Sequence, residues 1–179
     1  MLYERPETTI VVSTRQPAEV ARSAHRQMAP SSVDTAESDV DGPEPAIIDC
    51  VTSALGESET SDDNGTWYAA DPSDLTSIGT MFTECLHTYG DGPVVVGVDT
   101  ISPLLVYAGA STVFQFLNLL VQKATAAGCS VVVGIDAGAH DEQTIAQFVP
   151  IFERVLETRR ADEREARVRY PKPTEWQAL

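Results

Sequence analysis

The strongest constraint on the fold is an apolar run that ends in a carboxylate. Residues 94–98 read VVVGV, and Asp99 and Thr100 follow directly. Because the run is apolar at every position, it predicts a strand that is covered on both faces, as in a parallel sheet. Ligands of open α/β sheets bind at the carboxyl ends of the strands. The sequence therefore places Asp99 and Thr100 at an edge where a binding site is expected.

Further strands and helices alternate along the chain. β-branched or apolar runs predict strands at residues 8–14, 46–51, 66–70, 93–99 and 129–136. Apolar residues at helical spacing predict helices at about residues 16–28, 71–90, 111–127 and 140–158. Residues 165–170 and 175–179 are expected to add terminal strands around a proline-containing turn. This alternation predicts an α/β fold with a mostly parallel sheet that helices cover on both faces.

Composition indicates one acidic domain. The 179 residues, of which 42% are hydrophobic, fit a single domain over residues 1–179. Two acidic, polar segments at about residues 30–45 and 56–65 are expected to be flexible surface loops. The formal net charge of −15 repels polyanions, so direct binding of nucleic acid is not expected. This acidic, lysine-poor composition is similar to that of proteins from salt-accumulating archaea.

The one basic cluster lies near the C-terminal end of the chain. Six arginines between Arg154 and Arg169 are interleaved with acidic residues, among them Glu157 and Glu165. Alternating charges of this kind are typical of a solvated helix with ion pairs along its surface. That interpretation is favoured over a nucleic-acid-binding patch.

The cysteines and the absence of targeting patterns indicate a reducing compartment. Cys50, Cys85 and Cys129 are odd in number and widely spaced, and each lies in apolar or helical sequence. They are expected to be buried free thiols, and no metal site is implied. Residues 1–7 lack the features of a secretory leader, and no apolar run approaches the length of a membrane span. A soluble cytoplasmic protein is expected.

Other candidate residues follow the last predicted parallel strand. Asp136 ends an apolar run as Asp99 does, and a structural role is preferred for it. For Asp99, a metal- or nucleotide-related ancestry and a capping role both stay open. His140, Asp141 and Glu142 suggest an acid–base cluster, but consecutive residues do not share a helix face. Helix capping is therefore the favoured interpretation of these three residues.

Several segments carry a resemblance to a known superfamily. From about residue 66 to residue 158, the order of elements resembles the RecA-superfamily core, specifically the KaiC-like ATPases and a related haloarchaeal family of uncharacterised function. The segments are DPSDLTSIGTMF (71–82), VVVGVDTISPLLVY (94–107), VFQFLNLL (113–120) and AHDEQTIAQF (139–148), with weaker similarity at 8–20 and 45–52. The resemblance implies a three-layer, RecA-like (P-loop NTPase-like) sheet. It also places Asp99, followed by Thr100, at the Walker B position, where a carboxylate holds the magnesium ion of bound ATP.

Two departures from the family pattern indicate that catalysis is lost. The phosphate-binding pattern G-x-x-x-x-G-K-[ST] does not occur in the sequence, and the resemblance puts that unit before Thr8. Residues 13–16 (STRQ) stand where the family carries a catalytic glutamate. A truncated, catalytically inactive domain without cofactor or metal is therefore expected, acting as a regulatory or scaffolding subunit. It would associate with a protein partner or with further copies of itself. The loss of the P-loop strand is expected to leave a sheet edge or apolar groove that the C-terminal segment or a partner covers.

Two alternatives stay open. One is an ATPase whose P-loop comes from another chain or from upstream sequence, in which Asp99 and Thr100 would contact ATP and magnesium. The other is a small-molecule-binding α/β domain that uses the edge around Asp99, Thr100, Asp136 and His140.

Overall fold

The computed structural model describes residues 8–28, 44–56, 65–90, 92–161 and 163–179, and every structural statement below concerns these residues. The chain divides into two compact units, residues 1–136 and 137–179. The prediction of one domain over residues 1–179 stays a prediction. The acidic loops predicted at 30–45 and 56–65 lie outside the described residues except at their ends.

The first unit is a five-stranded parallel sheet with helices. Its strands lie in the order β3-β2-β1-β4-β5, and all four strand pairings are parallel. The strands are β1 (Thr8–Ser13), β2 (Ala46–Asp49), β3 (Thr66–Tyr68), β4 (Val94–Val98) and β5 (Ser130–Val133). The helices are α1 (Ala18–Met28), α2 (Leu75–Tyr89), α3 (Ser102–Ala108) and α4 (Ala110–Ala126), with a 3-10 turn at Ser53–Leu55. The predicted α/β fold class is confirmed, although the sequence did not predict α3.

The centre of the sheet is the pairing of β1 with β4. Its register runs from Thr8 opposite Val94 to Val12 opposite Val98. Ile10 and Val96 face each other in this register, and both side chains are fully buried. Burying an aliphatic side chain of this size contributes roughly 1.5–3 kcal/mol. The apolar run before Asp99 is therefore a core strand, as its sequence predicts.

The order of the strands determines which helices share a face of the sheet. The chain moves from β1 to β2 in one direction, and from β4 to β5 in the other. Because such crossovers are right-handed, α1 lies on one face, and α2 and α4 lie on the other. Two contacts agree with this arrangement: His25 Nε2 of α1 is 3.3 Å from Thr9 Oγ1, and α2 packs against α4. The direction of the connections thus reverses between β1 and β4.

The second unit contains one short helix and an antiparallel sheet. The helix α5 spans Glu142–Phe148, between 3-10 turns at Ala137–Ala139 and Val149–Ile151. The strands β6 (Val155–Arg160), β7 (Arg164–Tyr170) and β8 (Gln177–Ala178) follow in the order β6-β7-β8. The predicted terminal strands are confirmed in position. No helix among the described residues has both the length and the apolar character needed to cross a bilayer.

The predicted helix over residues 140–158 is wrong in its second half. The α-helix ends at Phe148, and Pro150 lies in the 3-10 turn that follows. Proline has no backbone N–H and its ring obstructs the preceding turn, so it interrupts a helix. Residues 155–160 instead pair with β7 as an antiparallel strand. The apolar residues that suggested a helical face are divided between a short helix and a strand.

The charged residues that the sequence predicts on a solvated helix form cross-strand ion pairs instead. Arg159 Nε lies 2.6 Å from Glu165 Oε2, and Arg167 Nη2 lies 2.7 Å from Glu157 Oε2. Trp176 covers both guanidinium groups, whose central carbons lie 4.1 Å (Arg159) and 4.5 Å (Arg167) from its ring centroid. Ion pairing was predicted correctly, but it links β6 to β7 rather than successive helical turns. The helix interpretation of residues 154–169 is wrong.

We predict that Trp176 stabilises this hairpin through its two cation–π contacts. Trp176→Ala removes contacts worth together about 1–2 kcal/mol, so amide hydrogen exchange in β6 and β7 should become about tenfold faster. Trp176→Phe keeps a ring above the arginines and should show a clearly smaller effect. Exchange measured by mass spectrometry on peptides covering residues 155–170 tests this. Equal exchange in wild type and Trp176→Ala would contradict a stabilising role.

Candidate functional site

The candidate site lies where the strand connections reverse direction, between the carboxyl ends of β1 and β4. In open α/β sheets this position forms a crevice in which ligands bind. Thr14 and Arg15 follow β1 there, and Asp99 and Thr100 follow β4. The structure therefore brings the two residues singled out from the sequence, Asp99 and Thr100, to the expected edge.

The carboxylate of Asp99 accepts hydrogen bonds through both of its oxygens. Oδ1 accepts from the backbone N–H groups of Thr14 at 2.9 Å and Thr100 at 2.6 Å, and lies 2.9 Å from the Thr14 hydroxyl. Oδ2 accepts from the backbone N–H of Arg15 at 3.2 Å. Asp99 itself is exposed. Its side chain thus ties the loop after β1 to the end of β4.

Thr14 closes the crevice with a second contact. Its hydroxyl also donates to the backbone carbonyl of Thr100, at 2.5 Å. A hydroxyl has one proton, so Thr14 shares it between this carbonyl and Asp99. Both threonines are buried, whereas Asp99 is exposed. Polar protein groups therefore occupy the space between the two strand ends.

Asp49, for which the sequence predicted no role, is a second carboxylate that binds the loop after β1, at the end where α1 begins. Asp49 ends β2 and is fully buried. Its Oδ1 accepts from the N–H groups of Val51 at 2.7 Å and Thr52 at 2.9 Å. Its Oδ2 accepts from the N–H of Ala18 at 2.6 Å and from the Thr52 hydroxyl at 2.7 Å. The sequence carries only a partial signal: Asp49 follows the apolar residues 46–48, but Cys50 and Val51 continue the apolar run past it.

The described residues around Asp99 offer few ligands for a magnesium ion. Oδ1 of Asp99 is fully used by protein donors, whereas Oδ2 accepts one N–H group at 3.2 Å. Among the described residues there is no cluster of three or more histidine, cysteine or acidic side chains that could hold a metal ion. The loop after β1 offers hydroxyl groups and Arg15, but no carboxylate. The arrangement fits a structural link between loops.

The remaining candidates have structural contacts or lie in the other unit. The Asp136 N–H donates to Ser102 Oγ at 3.0 Å, next to the candidate site. Asp141 is the N-cap of α5 and accepts from Thr144 N–H at 2.7 Å, which holds the pKa of Asp141 below its usual value. Helix capping is therefore confirmed for Asp141. His140 belongs to the second unit, and its Nε2 is buried without a hydrogen-bond partner in the described part of the chain.

The cysteines are buried free thiols, as predicted. Burial, together with the nearby carboxylates of Asp49 and Asp99, raises the pKa of Cys50 to about 12. Burial and the carboxylate of Glu84 raise the pKa of Cys85 to about 12, and burial raises that of Cys129. Since the thiolate is the nucleophile, none of the three thiols is activated.

We predict that Asp49 contributes more to stability than Asp99. Asp49→Ala leaves four donors, three of them buried, without their acceptor and should cost about 3 kcal/mol or more. Asp99→Ala should cost about 1–2 kcal/mol, because Asp99 is exposed and water can take the place of its carboxylate as an acceptor. Urea denaturation of the two variants and the wild type measures both losses. A larger loss for Asp99→Ala would contradict this assignment.

We also predict that the folded protein resists alkylation. At pH 8, a thiol with a pKa near 12 is ionised in only about one molecule in ten thousand. Iodoacetamide should therefore leave Cys50 and Cys85 unmodified in the native protein and label them after unfolding. Mass spectrometry of the digested protein gives the readout. Labelling of native Cys50 at the rate of a free thiol would show that this thiol is accessible and activated.

Comparison with known structures identifies the fold. A KaiC-like protein from the hyperthermophilic archaeon Pyrococcus horikoshii OT3 is similar with a TM-score of 0.52 and 12% identity, over 96% of this chain and 69% of that one. An uncharacterised protein from Pyrococcus horikoshii, solved in complex with an unknown peptide, is similar with a TM-score of 0.54 and 13% identity, over 90% of this chain and 70% of that one. The chain therefore has a KaiC-like, RecA-like fold. Among curated proteins, none matches its sequence significantly.

The sequence also matches a family model over most of its length. Residues 2–158 match the model of a family of unknown function, DUF7504. The matched residues include the whole sheet of the first unit, both of the carboxylates that hold its loops, and α5. This chain belongs to the DUF7504 family.

Proposed function

We propose that this chain is a KaiC-like domain that does not hydrolyse nucleotide and that acts by binding other protein chains. The observation that carries the proposal is the bonding of Asp99. A carboxylate that holds the magnesium ion of ATP must direct an oxygen toward that ion. The oxygens of Asp99 instead accept the N–H groups of Thr14, Arg15 and Thr100.

The loop after β1 supports the same conclusion. In a phosphoryl-transfer site, a side chain next to the nucleotide orients the attacking water. The residues at the matching position are Ser13, Thr14, Arg15 and Gln16, and the Ser13 hydroxyl donates to the Gln16 carbonyl at 2.6 Å. No residue of this loop can act as a general base of the carboxylate type. The chain is therefore better suited to a structural or regulatory role than to hydrolysis.

The outer strand β5 supports association with other chains. It is the last strand of the sheet and pairs only with β4 among the described strands. Its residues, SVVV, include none of the lysines or prolines that commonly protect an edge strand, and Val132 is 64% exposed. The similar Pyrococcus protein that was solved with a bound peptide is consistent with binding of protein segments by this fold. The partner that we propose is a protein and neither a nucleic acid nor a membrane.

The same strand favours a second candidate function. An edge strand presents unpaired backbone N–H and C=O groups, so β5 could accept a further strand. If that strand belonged to a P-loop unit from another chain or from preceding sequence, the assembled protein could bind ATP. In that case Asp99 would have to give up its bonds to Thr14 and Arg15.

Titration with magnesium and ATP distinguishes the two functions. Calorimetry in multimolar KCl, which screens the acidic surface, should show no saturable binding to the wild type, and no phosphate should be released. Micromolar affinity that Asp99→Ala abolishes would overturn the proposed function. Glu84→Ala, which removes an exposed carboxylate from α2, is the matched control and should bind as the wild type does. Circular dichroism checks that each variant is folded.

A further inference from the structure

We infer that the hairpin of β6 and β7 carries a binding site for an acidic segment of another protein, on the sheet face that contains Arg160 and Arg164. This site goes beyond the proposed function, because it lies in the second unit and does not depend on the edge strand β5. Two arginines form the end of the site near the turn. Side chains of Leu156, Val168 and Tyr170 form its apolar part.

The first observation is a like-charge pair in a hairpin whose other charged pairs are complementary. Three pairs of charged residues lie directly opposite each other in the register of β6 and β7: Glu157 with Arg167, Arg159 with Glu165, and Arg160 with Arg164. The first two are ion pairs, whereas the third brings two cations together. Like charges directly opposite each other destabilise an antiparallel pair. Natural proteins accept such local conflicts at functional sites.

The second observation is that no described residue neutralises these two cations. Arg160 and Arg164 are both exposed, and neither guanidinium group forms an ion pair within the part of the chain that the structure describes. On the other face of the sheet, Arg159 and Arg167 are each bound to a carboxylate and covered by Trp176. A guanidinium group binds a carboxylate through two parallel hydrogen bonds. The exposed arginine pair is therefore complementary to carboxylates.

The third observation is an apolar surface that continues from the arginines along the same face. Leu156 lies four residues before Arg160 in β6, and Val168 lies opposite Leu156 in β7. Because side chains alternate between the faces of a strand, both share the face of the arginines. Leu156 is 63% exposed, and Tyr170, two residues beyond Val168, is 42% exposed. At about 3.4 Å per residue, Leu156 lies about 14 Å from the arginine pair.

These features select a protein segment over other anions. Nucleic acids and anionic membranes present many phosphates and are bound by clusters of cations, whereas this face offers two unpaired arginines. A protein segment can carry apolar side chains beside its carboxylates, and so can match both parts of the site. Charge permits its approach, because the second unit holds seven of the chain's 12 basic residues but only eight of its 27 acidic residues. The ligand class is therefore a segment with paired carboxylates and an apolar side chain four extended residues away.

Two synthetic peptides provide the probe. The first consists of two glutamates, three serine or threonine residues, a leucine and a tyrosine, and in the second the glutamates are replaced by glutamines. Fluorescence anisotropy with the full chain, at the lowest KCl concentration at which circular dichroism shows it folded, measures the affinity of each peptide. The acidic peptide should bind saturably. The glutamine peptide should bind at least about tenfold more weakly, because it loses the charge-assisted hydrogen bonds.

Arg164→Glu separates a binding role from a structural role, because its effects on binding and on stability are opposite in direction. It turns the like-charge pair into a complementary one, so amide exchange in β6 and β7 should slow by about twofold or more. Binding of the acidic peptide should fall by about a hundredfold. Arg154→Glu, at an exposed position before β6, makes the same change of charge and should alter neither quantity. Leu156→Ala should weaken binding by about tenfold, since it removes the apolar contact.

The contrary outcomes are each decisive. Equal affinity for the two peptides, no binding of either, or binding that Arg164→Glu leaves unchanged would overturn the site. Tighter binding of a DNA oligonucleotide, or of phosphatidylglycerol vesicles, would assign the arginines to phosphate and overturn the protein segment. Unchanged or faster exchange in Arg164→Glu would show that the cation pair does not destabilise the hairpin, and would remove the first argument for the site. The ATP titration is independent of all these results, so failure of this site leaves the proposed function in place.

Discussion

The hydrogen bonds between Asp99 and the loop after β1 hold together the two central strands of the sheet at their carboxyl ends. These strands are joined along their length by a parallel ladder, but a ladder ends where the strands end. Beyond that point, Asp99 accepts the N–H groups of Thr14 and Arg15, which have no strand partner. The exposed carboxylate thereby extends the contact between β1 and β4 into the loops and closes the crevice where the connections diverge.

Asp49, at the end of β2 on the other side of β1, binds the far end of the same loop. Its buried carboxylate accepts the N–H of Ala18, the first residue of α1, and two N–H groups of the turn after β2. The short segment between β1 and α1 is therefore held by Asp99 at its start and by Asp49 at its end. Backbone N–H groups at a helix start favour a negative charge, so the carboxylate also stabilises α1. Asp99 and Asp49, both at the carboxyl ends of strands, thus together fix the position at which α1 begins.

Much of the first unit could be predicted from sequence, because its strands are continuous apolar runs that only a covered sheet can accommodate. The position of Asp99 at the edge followed from the same pattern. The direction in which the oxygens of Asp99 point could not be predicted from that pattern. It depends on a hydrogen bond from Thr14, which is 85 residues away in sequence. Asp49 was missed because Cys50 and Val51 continue the apolar run past it, so the sequence places it inside the predicted strand over residues 46–51 and not at its end.

The second unit shows where local patterns mislead. Alternating charges between residues 154 and 169 resemble a helix with ion pairs one turn apart. The pairs that form are Arg159–Glu165 and Glu157–Arg167, at separations of six and ten residues, which only a hairpin allows. Pro150 was the local signal against a long helix. The pairing of β6 with β7 is set by contacts across the turn, which the periodicity of a single segment does not report.

The bonding of Asp99 also shows that a carboxylate at the end of a central strand can have a structural role. A carboxylate at the end of a central strand can coordinate a metal ion or accept hydrogen bonds from the backbone of a neighbouring loop. When the loop turns its N–H groups toward the acid, the carboxylate becomes part of the packing, and its removal costs stability rather than catalysis. The presence of Asp99 is therefore compatible with either role. What distinguishes the roles is the partner of its oxygens, which in this chain is the backbone at Thr14, Arg15 and Thr100.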